Sequence, residues 1–245
     1  MPVSYLRALT APERTRRSNI HLGMTLAFVA GATNAGGFLA VKEYTSHMTG
    51  VVSSMADDLA LGRMALVVDW FSSLVAFVLG AACSAVMINW ARRRDSRHVY
   101  ALPLLLEAIL LLAFGVMGAI HHLIGHSMAL TVALLCFVMG LQNAMITKIS
   151  NAVIRTTHVT GLVTDIGIEL GKMLYWNHSA ETPSQPRVKA NHDKLWLHVR
   201  LVLCFFVGGV LGALGFKHVG YVSTLPLALV LALMASAQFI PPPRT

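Results

Sequence analysis

Charged residues are scarce in this chain: Asp, Glu, Lys and Arg make up 12% of its 245 residues, against roughly 25% in soluble domains. A protein that presents a charged surface to water on every side is thereby excluded. Cysteine is scarcer still. Cys83, Cys136 and Cys204 all fall inside apolar runs without C-x-x-C spacing, so neither a disulfide framework nor a zinc site is indicated, and the three read as packing residues. Acids are the rarer sign, 11 against 19 Lys and Arg, for a net charge of +8. Such an excess points to nucleic acid where aromatics interleave a basic stripe or where finger spacing occurs, and the chain has neither. Catalytic signatures are missing too: there is no G-x-S-x-G, no H-E-x-x-H, no Walker loop and no G-x-G-x-x-G after a strand. The expectation is a protein that is no enzyme and carries neither cofactor nor metal.

Apolar sequence is what the chain has in quantity, 56% hydrophobic residues with a mean hydropathy of +0.65, the composition of an integral membrane protein. Six apolar stretches, 22–41, 66–90, 101–120, 127–147, 198–216 and 221–240, each approach the ~20 residues that a helix needs to cross the hydrocarbon. Ala30-Gly31-Ala32 resembles a signal-peptide cleavage site, but cutting there would remove the start of a motif that the chain repeats. Lys and Arg are retained on the cytoplasmic side of a membrane. Arg7, Arg14, Arg16 and Arg17 precede the first stretch, Arg92, Arg93, Arg94 and Arg97 follow the second, and Arg244 closes the chain. The segment after the fourth stretch carries Lys148, Arg155, Lys172, Arg187, Lys189 and Lys194, whereas His121, His122 and His126 after the third have no Lys or Arg beside them. Six spans with both termini cytoplasmic satisfy all of these charges.

One polar motif occurs twice. Gly31, Asn34-Ala35, Thr45, His47, Thr49-Gly50, Asp58 and Leu61-Gly62-Arg63-Met64 recur in order as Gly140, Asn143-Ala144, Thr156, His158, Thr160-Gly161, Glu169 and Leu170-Gly171-Lys172-Met173. The offset is 109 at the asparagines, 111 at the histidines and 109 again at Gly62 and Gly171. Phe77-Val78-Leu79-Gly80 matches Phe206-Val207-Gly208-Gly209, and Leu102-Pro103-Leu104 matches Leu225-Pro226-Leu227. The predicted architecture is therefore all-α: a single membrane domain over 1–245, six transmembrane helices as a 3+3 inverted-topology repeat, halves 21–120 and 127–240, and a polar cytoplasmic loop at 177–195. Three spans per half turn the second copy over in the membrane.

Residues 43–65 and 151–173 are too polar to span and too apolar for an ordinary loop. They read as broken or re-entrant segments after helices 1 and 4, buried in protein or lining a wet cavity, or else as amphipathic helices in the interface. The shared pattern T-[ST]-H-x-T-G suits hydrogen bonding at a helix terminus, where free N–H groups favour an anionic group, and equally suits plain capping. The candidate solute-binding residues are Asn34, Thr45, His47, Thr49, Gly50, Gln142, Asn143, Thr156, His158, Thr160 and Gly161. Asn34 and Asn143 lie within the small-x-x-x-small pairs Gly31/Ala35 and Gly140/Ala144 that bring helices close, so packing is the rival reading of both. Candidates for proton or ion coupling are Asp58, Glu107, Asp165 and Glu169, since intramembrane acids mark ion paths by default.

On Ala30-Gly31 through Asn34-Ala35 to Phe38-Leu39, Ser46-His47-Met48-Thr49-Gly50, Gly140-Leu141-Gln142-Asn143-Ala144 and Arg155-Thr156-Thr157-His158-Val159-Thr160-Gly161, the chain resembles the YoaK-like, or DUF1275, family of bacterial multi-pass membrane proteins. The resemblance spans nearly the whole chain. It implies an inner-membrane protein of about six spans and supplies no substrate and no catalytic residue. Asn34, where the commoner pattern has Asp, and Val51, where Asn follows Thr-Gly, depart from that family's motif.

The function expected is a small-solute transporter with a central polar site built by two inverted repeats. A channel and a non-transporting sensor or assembly protein are the alternatives. The bilayer and an unidentified small solute are the expected partners, nucleic acid is not, and oligomeric state is open.

Overall fold

The computed structural model describes residues 15–94, 98–119, 128–150, 154–177 and 187–239. Among these, eight α-helices and one 3-10 turn account for the regular structure: α1 Arg16–Val41, α2 Met48–Ala60, α3 Met64–Arg93, α4 Ala101–Ala119, α5 Met128–Ile149, α6 Val159–Leu174, α7 His192–Val219, the turn Gly220–Ser223, and α8 Thr224–Ser236. His121, His122 and His126 lie outside the described residues, as do residues 178–186 of the polar loop. The base of that loop is closed by Asn177, which donates to the Val188 carbonyl at 3.2 Å and accepts from its N–H at 3.0 Å.

Helix limits follow from caps. The Thr15 hydroxyl accepts from the Ser18 N–H and opens α1, while Lys42, at φ 60°, turns left-handed and closes it by donating its N–H to the Phe38 carbonyl. Asn191 opens α7 by accepting from the Lys194 N–H. Such side chains and reversals satisfy backbone groups that a helix end leaves unpaired.

Among the described residues, five stretches are long and apolar enough to cross a membrane: α1, α3, α4, α5 and the 45 residues from His192 to Ser236. A straight helix of that last length would extend about 68 Å, more than twice the ~30 Å hydrocarbon core. Gly220, at φ 68° and ψ −144°, breaks it. The break falls in the gap that the hydropathy pattern leaves between 216 and 221. Packing shows that the chain folds back there, because Gln238 and Phe239 reach His98 while Thr224 touches Gly115. Thus α8 runs antiparallel to α4.

The other directions can be read the same way. Along α1, Gly23, Gly31 and Gly36 meet Leu201, Phe205 and Phe216 of α7 in rising order, so the two are parallel. Ser73 lies by Cys136, Gly80 by Phe137 and Asn89 by Lys148, so α3 and α5 are parallel too. Leu26 bonds Gln142 while Gly37 meets Leu135, which makes α1 and α5 antiparallel.

The two parallel pairs cross on glycine. A Cβ added at Gly31 would overlap the Phe205 carbonyl and one at Gly208 the Phe28 carbonyl; across the other pair, Gly80 abuts the Phe137 carbonyl and Gly140 that of Phe77. Only glycine permits backbones this close. These contacts pair Phe77 with Phe205 and Gly80 with Gly208, one residue earlier than the residue types suggest. Phe206 instead points outward, 66% exposed. It joins Phe71, Val78, Leu79, Leu203 and Leu211 in an exposed apolar surface of the kind that faces lipid. The buried core lies between the helices, with Leu22, Leu26, Leu104, Leu111, Met139, Met145 and Leu201 fully enclosed.

Candidate functional site

Asn34 sits seven residues before the end of α1, about 10 Å along the axis at 1.5 Å per residue. The loop of residues 42–47 folds back to that level, and the Ser46 N–H and hydroxyl both donate to Asn34 Oδ1, at 3.2 and 2.9 Å. The second copy is built alike: Thr157 donates its hydroxyl to Asn143 Oδ1 at 2.7 Å, and Asn143 Nδ2 donates to the Met139 carbonyl at 2.9 Å. Each asparagine thereby supplies a partner to irregular chain lying alongside a helix that has not yet ended.

From these anchored loops α2 and α6 start. His47 and His158 occupy the two N-cap positions, and neither helix has a side-chain cap. Their carbonyls accept from the Val51 and Leu162 N–H groups, each at 3.1 Å. The imidazoles lie back over the first turn, where a Cβ at Gly50 would overlap the His47 ring and one at Gly161 the His158 ring. The glycine of each Thr-Gly pair is the seat of its histidine.

Both motifs open on one cavity of about 590 Å³. Of the residues expected to bind solute, Asn34, His47, Thr49, Asn143, His158 and Thr160 line it. Gly161 lines an adjoining cavity of about 430 Å³ that shares Arg155, His158 and Thr160 with the first, and Gly50 lies beneath His47. Thr45 and Thr156 are buried with hydroxyls that make no hydrogen bond among the described residues, and they are not among the residues lining the cavity. Gln142 is buried on α5 and spends its Nε2 on the Leu26 carbonyl at 3.3 Å.

The structure adds wall residues that the sequence did not single out as binding groups: Tyr44, Ser46, Arg155 and Thr157 from the loops, and Phe77 and Phe205 from the tight crossings. Tyr44 and Arg155 stand at equivalent places, each one residue before the repeated pattern. No carboxylate lines this cavity among the described residues.

The acids are engaged elsewhere. Asp58, buried near the end of α2, accepts from Trp70 Nε1 at 2.7 Å and pairs with Arg63 at 2.5 Å. Glu169, equally buried near the end of α6, accepts from the Asn191 N–H at 2.7 Å and pairs with Lys172 at 2.9 Å. The Asn191 N–H and then Lys172 hold the Glu169 carboxyl below the usual carboxylate range. Asp58 therefore ties α2 to α3 and Glu169 ties α6 to the start of α7, and neither acid partners a histidine of the motifs. Asp165 pairs with Lys194 at 3.1 Å and faces His198 Nδ1 at 3.7 Å. Glu107 is fully buried on α4 beside Gln142, and among the described residues neither of its carboxyl oxygens, nor Oε1 of Gln142, has a partner in good hydrogen-bond geometry. In the loop before α2, burial and then the Asp69 carboxylate push Glu43 up. Among the described residues no three His, Cys, Asp or Glu side chains gather to hold a metal.

Residues 22–237 match the family model described as "Protein of unknown function (DUF1275)". The chain belongs to this family. The DUF1275 match takes in both motifs, α1 from Leu22 onward, the helices α2 to α8 and the turn at Gly220. This DUF1275 protein is also similar to the UPF0700 transmembrane protein YoaK of Bacillus subtilis (strain 168), 22% identical over 219 residues that cover 87% of this chain and 91% of that protein. No solved structure matches it. It is a membrane protein with several apolar helices, as its composition requires.

Proposed function

We propose that this protein is a transporter for a small solute, with six spans arranged as two inverted three-span halves and both termini in the cytoplasm of a bacterial inner membrane. One observation carries the reading: two copies of one motif, from the two halves of the chain, line the same cavity. Helices α2 and α6 are then half-helices whose first turns lie at mid-depth, as discontinuous segments around a solute site do. In this reading α7 and α8 are the fifth and sixth spans.

The packing supports a particular pair of moving bodies. Helix α1 packs most closely on α7 and α3 on α5, with α2 lying on α3 and α6 on α7. The natural units are therefore α1–α6–α7 and α2–α3–α5, each mixing both halves. The bonds from Ser46 to Asn34 and from Thr157 to Asn143 cross between these units beside the cavity. The full engagement of Asn143, Asp58 and Glu169 within the fold favours a second reading, a membrane protein that moves nothing and uses its motifs as packing devices.

Reconstituted protein assayed for uptake of small anions, cations and neutral metabolites separates the two. Uptake lost in His47→Ala and His158→Ala, with monodisperse folded protein, is the expected result. Absence of any uptake by folded wild-type protein would sink the proposal.

A further inference from the structure

The cavity between the two motifs has a lopsided chemistry. Its polar wall is made of hydroxyls, imidazoles, amides and one full charge, that of Arg155, which forms no ion pair among the described residues. Asp165 lines the adjoining cavity and is taken by Lys194 at 3.1 Å, and Glu43, next to Tyr44 in the loop, is not among the wall residues. The first turns of α2 and α6 both end here with amides that no side chain caps, and each such terminus presents roughly half a positive charge.

A buried donor marks the same place independently. Asn34 is 8% exposed, and its Oδ1 is fixed by the backbone N–H of Ser46, which can only donate. Its amide nitrogen is then the group turned toward the cavity, where it finds no protein acceptor among the described residues. Asn143, its counterpart, has both ends of its amide in use. The remaining wall is apolar and aromatic: Met48, Val159, Tyr44, Phe77 and Phe205.

We infer that this cavity binds a small organic monoanion, its carboxylate held by Arg155, Asn34 and the first turns of α2 and α6, its apolar body against Phe77 and Phe205. A guanidinium and free backbone N–H groups match a carboxylate's two oxygens, and about 590 Å³ falls within the usual 300–1,000 Å³ of small-ligand sites. The inference rests on the cavity being the solute site of the proposed transporter, and binding can be tested apart from flux.

The test is equilibrium binding of radiolabelled benzoate to purified protein, with benzamide and benzylammonium as competitors of the same shape. Benzoate is expected to bind, and both competitors to displace it at least tenfold less well than unlabelled benzoate. Arg155→Gln should weaken benzoate at least tenfold. Asn34→Asp keeps the acceptor for Ser46 while replacing the spare donor with a negative oxygen, so it should fold normally and lose benzoate by a similar factor. The inference is overturned if benzamide or benzylammonium competes as well as benzoate, if monodisperse protein binds no benzoate, or if both variants bind it unchanged. Benzoate binding without flux of any solute would sink transport alone, whereas uptake of a cation without benzoate binding would sink the anion site alone.

Discussion

Replacing Gly140 by alanine is expected to push α5 away from α3. The new methyl would occupy the place of the Phe77 carbonyl, and backbone cannot swing aside as a side chain tip does. Overpacking of this kind costs about 1–3 kcal/mol, while alanine's better helix propensity returns about 1 kcal/mol, leaving a loss of up to ~2 kcal/mol. Gly171 lies within α6, where an added Cβ meets nothing within 4 Å, so Gly171→Ala collects the propensity gain of about 1 kcal/mol alone. Two chemically identical substitutions should therefore differ by roughly 1–3 kcal/mol, several degrees of melting temperature for a chain of this size. Thermal denaturation in one detergent, followed by the monodisperse peak on size exclusion, measures the difference. Gly80→Ala combined with Gly140→Ala should cost less than the two singles added, because one separation of the pair accommodates both methyls. Gly31→Ala with Gly140→Ala, at different crossings, should add. Equal stability of Gly140→Ala and Gly171→Ala would refute the reasoning, since it would mean that the backbones are not in contact at that glycine.

Trp70→Phe removes one hydrogen bond to a buried carboxylate and should lower stability by about 1.5–3 kcal/mol, read by the same melting assay, with Asp58→Asn costing no less. For Glu169 the folded-state affinity for protons is below the ordinary value, so its stabilising effect is present above the unfolded carboxyl range and is lost as pH falls through the folded one; Glu169→Gln should lower the melting temperature near neutral pH and flatten its fall in acid. Ser46→Ala and Asn34→Ala should couple by about 1 kcal/mol in a double-mutant cycle, whereas Ser46→Ala with Thr157→Ala should be additive. Gly50→Ala is expected to displace the His47 ring without unfolding the protein, so that flux falls while the melting temperature moves little; a large drop in stability would show that the ring's seat is structural.

The sequence was most legible where it carries duplication. Apolar length alone gives the helices, but the polar pattern stated twice reveals which residues belong together, and His47 and His158 do open on one cavity. Offsets by residue type are less secure at the crossings, because Phe205 and Phe206 are chemically alike and only packing shows which one supports Gly31. The acids are held differently in the two copies for a related reason. The repeat pairs Gly62 with Gly171, yet Gly62 takes φ 71° and ends the turn after α2, while Gly171 remains inside α6. Arg63 therefore reaches Asp58 from beyond its helix, whereas Lys172 reaches Glu169 from the same one, and the two-residue change in offset is where this difference is absorbed. Arg155 read as a loop charge because nothing in periodicity distinguishes a cation facing water from one facing a cavity. Its place beside Thr156, matched to Tyr44 beside Thr45, was the available signal.

The crossings also bear on how the protein is made. The two glycine contacts join α1 to α7 and α3 to α5, so the ribosome delivers α1 into the bilayer with its close-fitting face bare and more than a hundred residues still to be synthesised before its mate emerges. For α3 the wait is short; for α1 it lasts until α7 has been made. Truncation before α7 would thus strand the first helix without its partner.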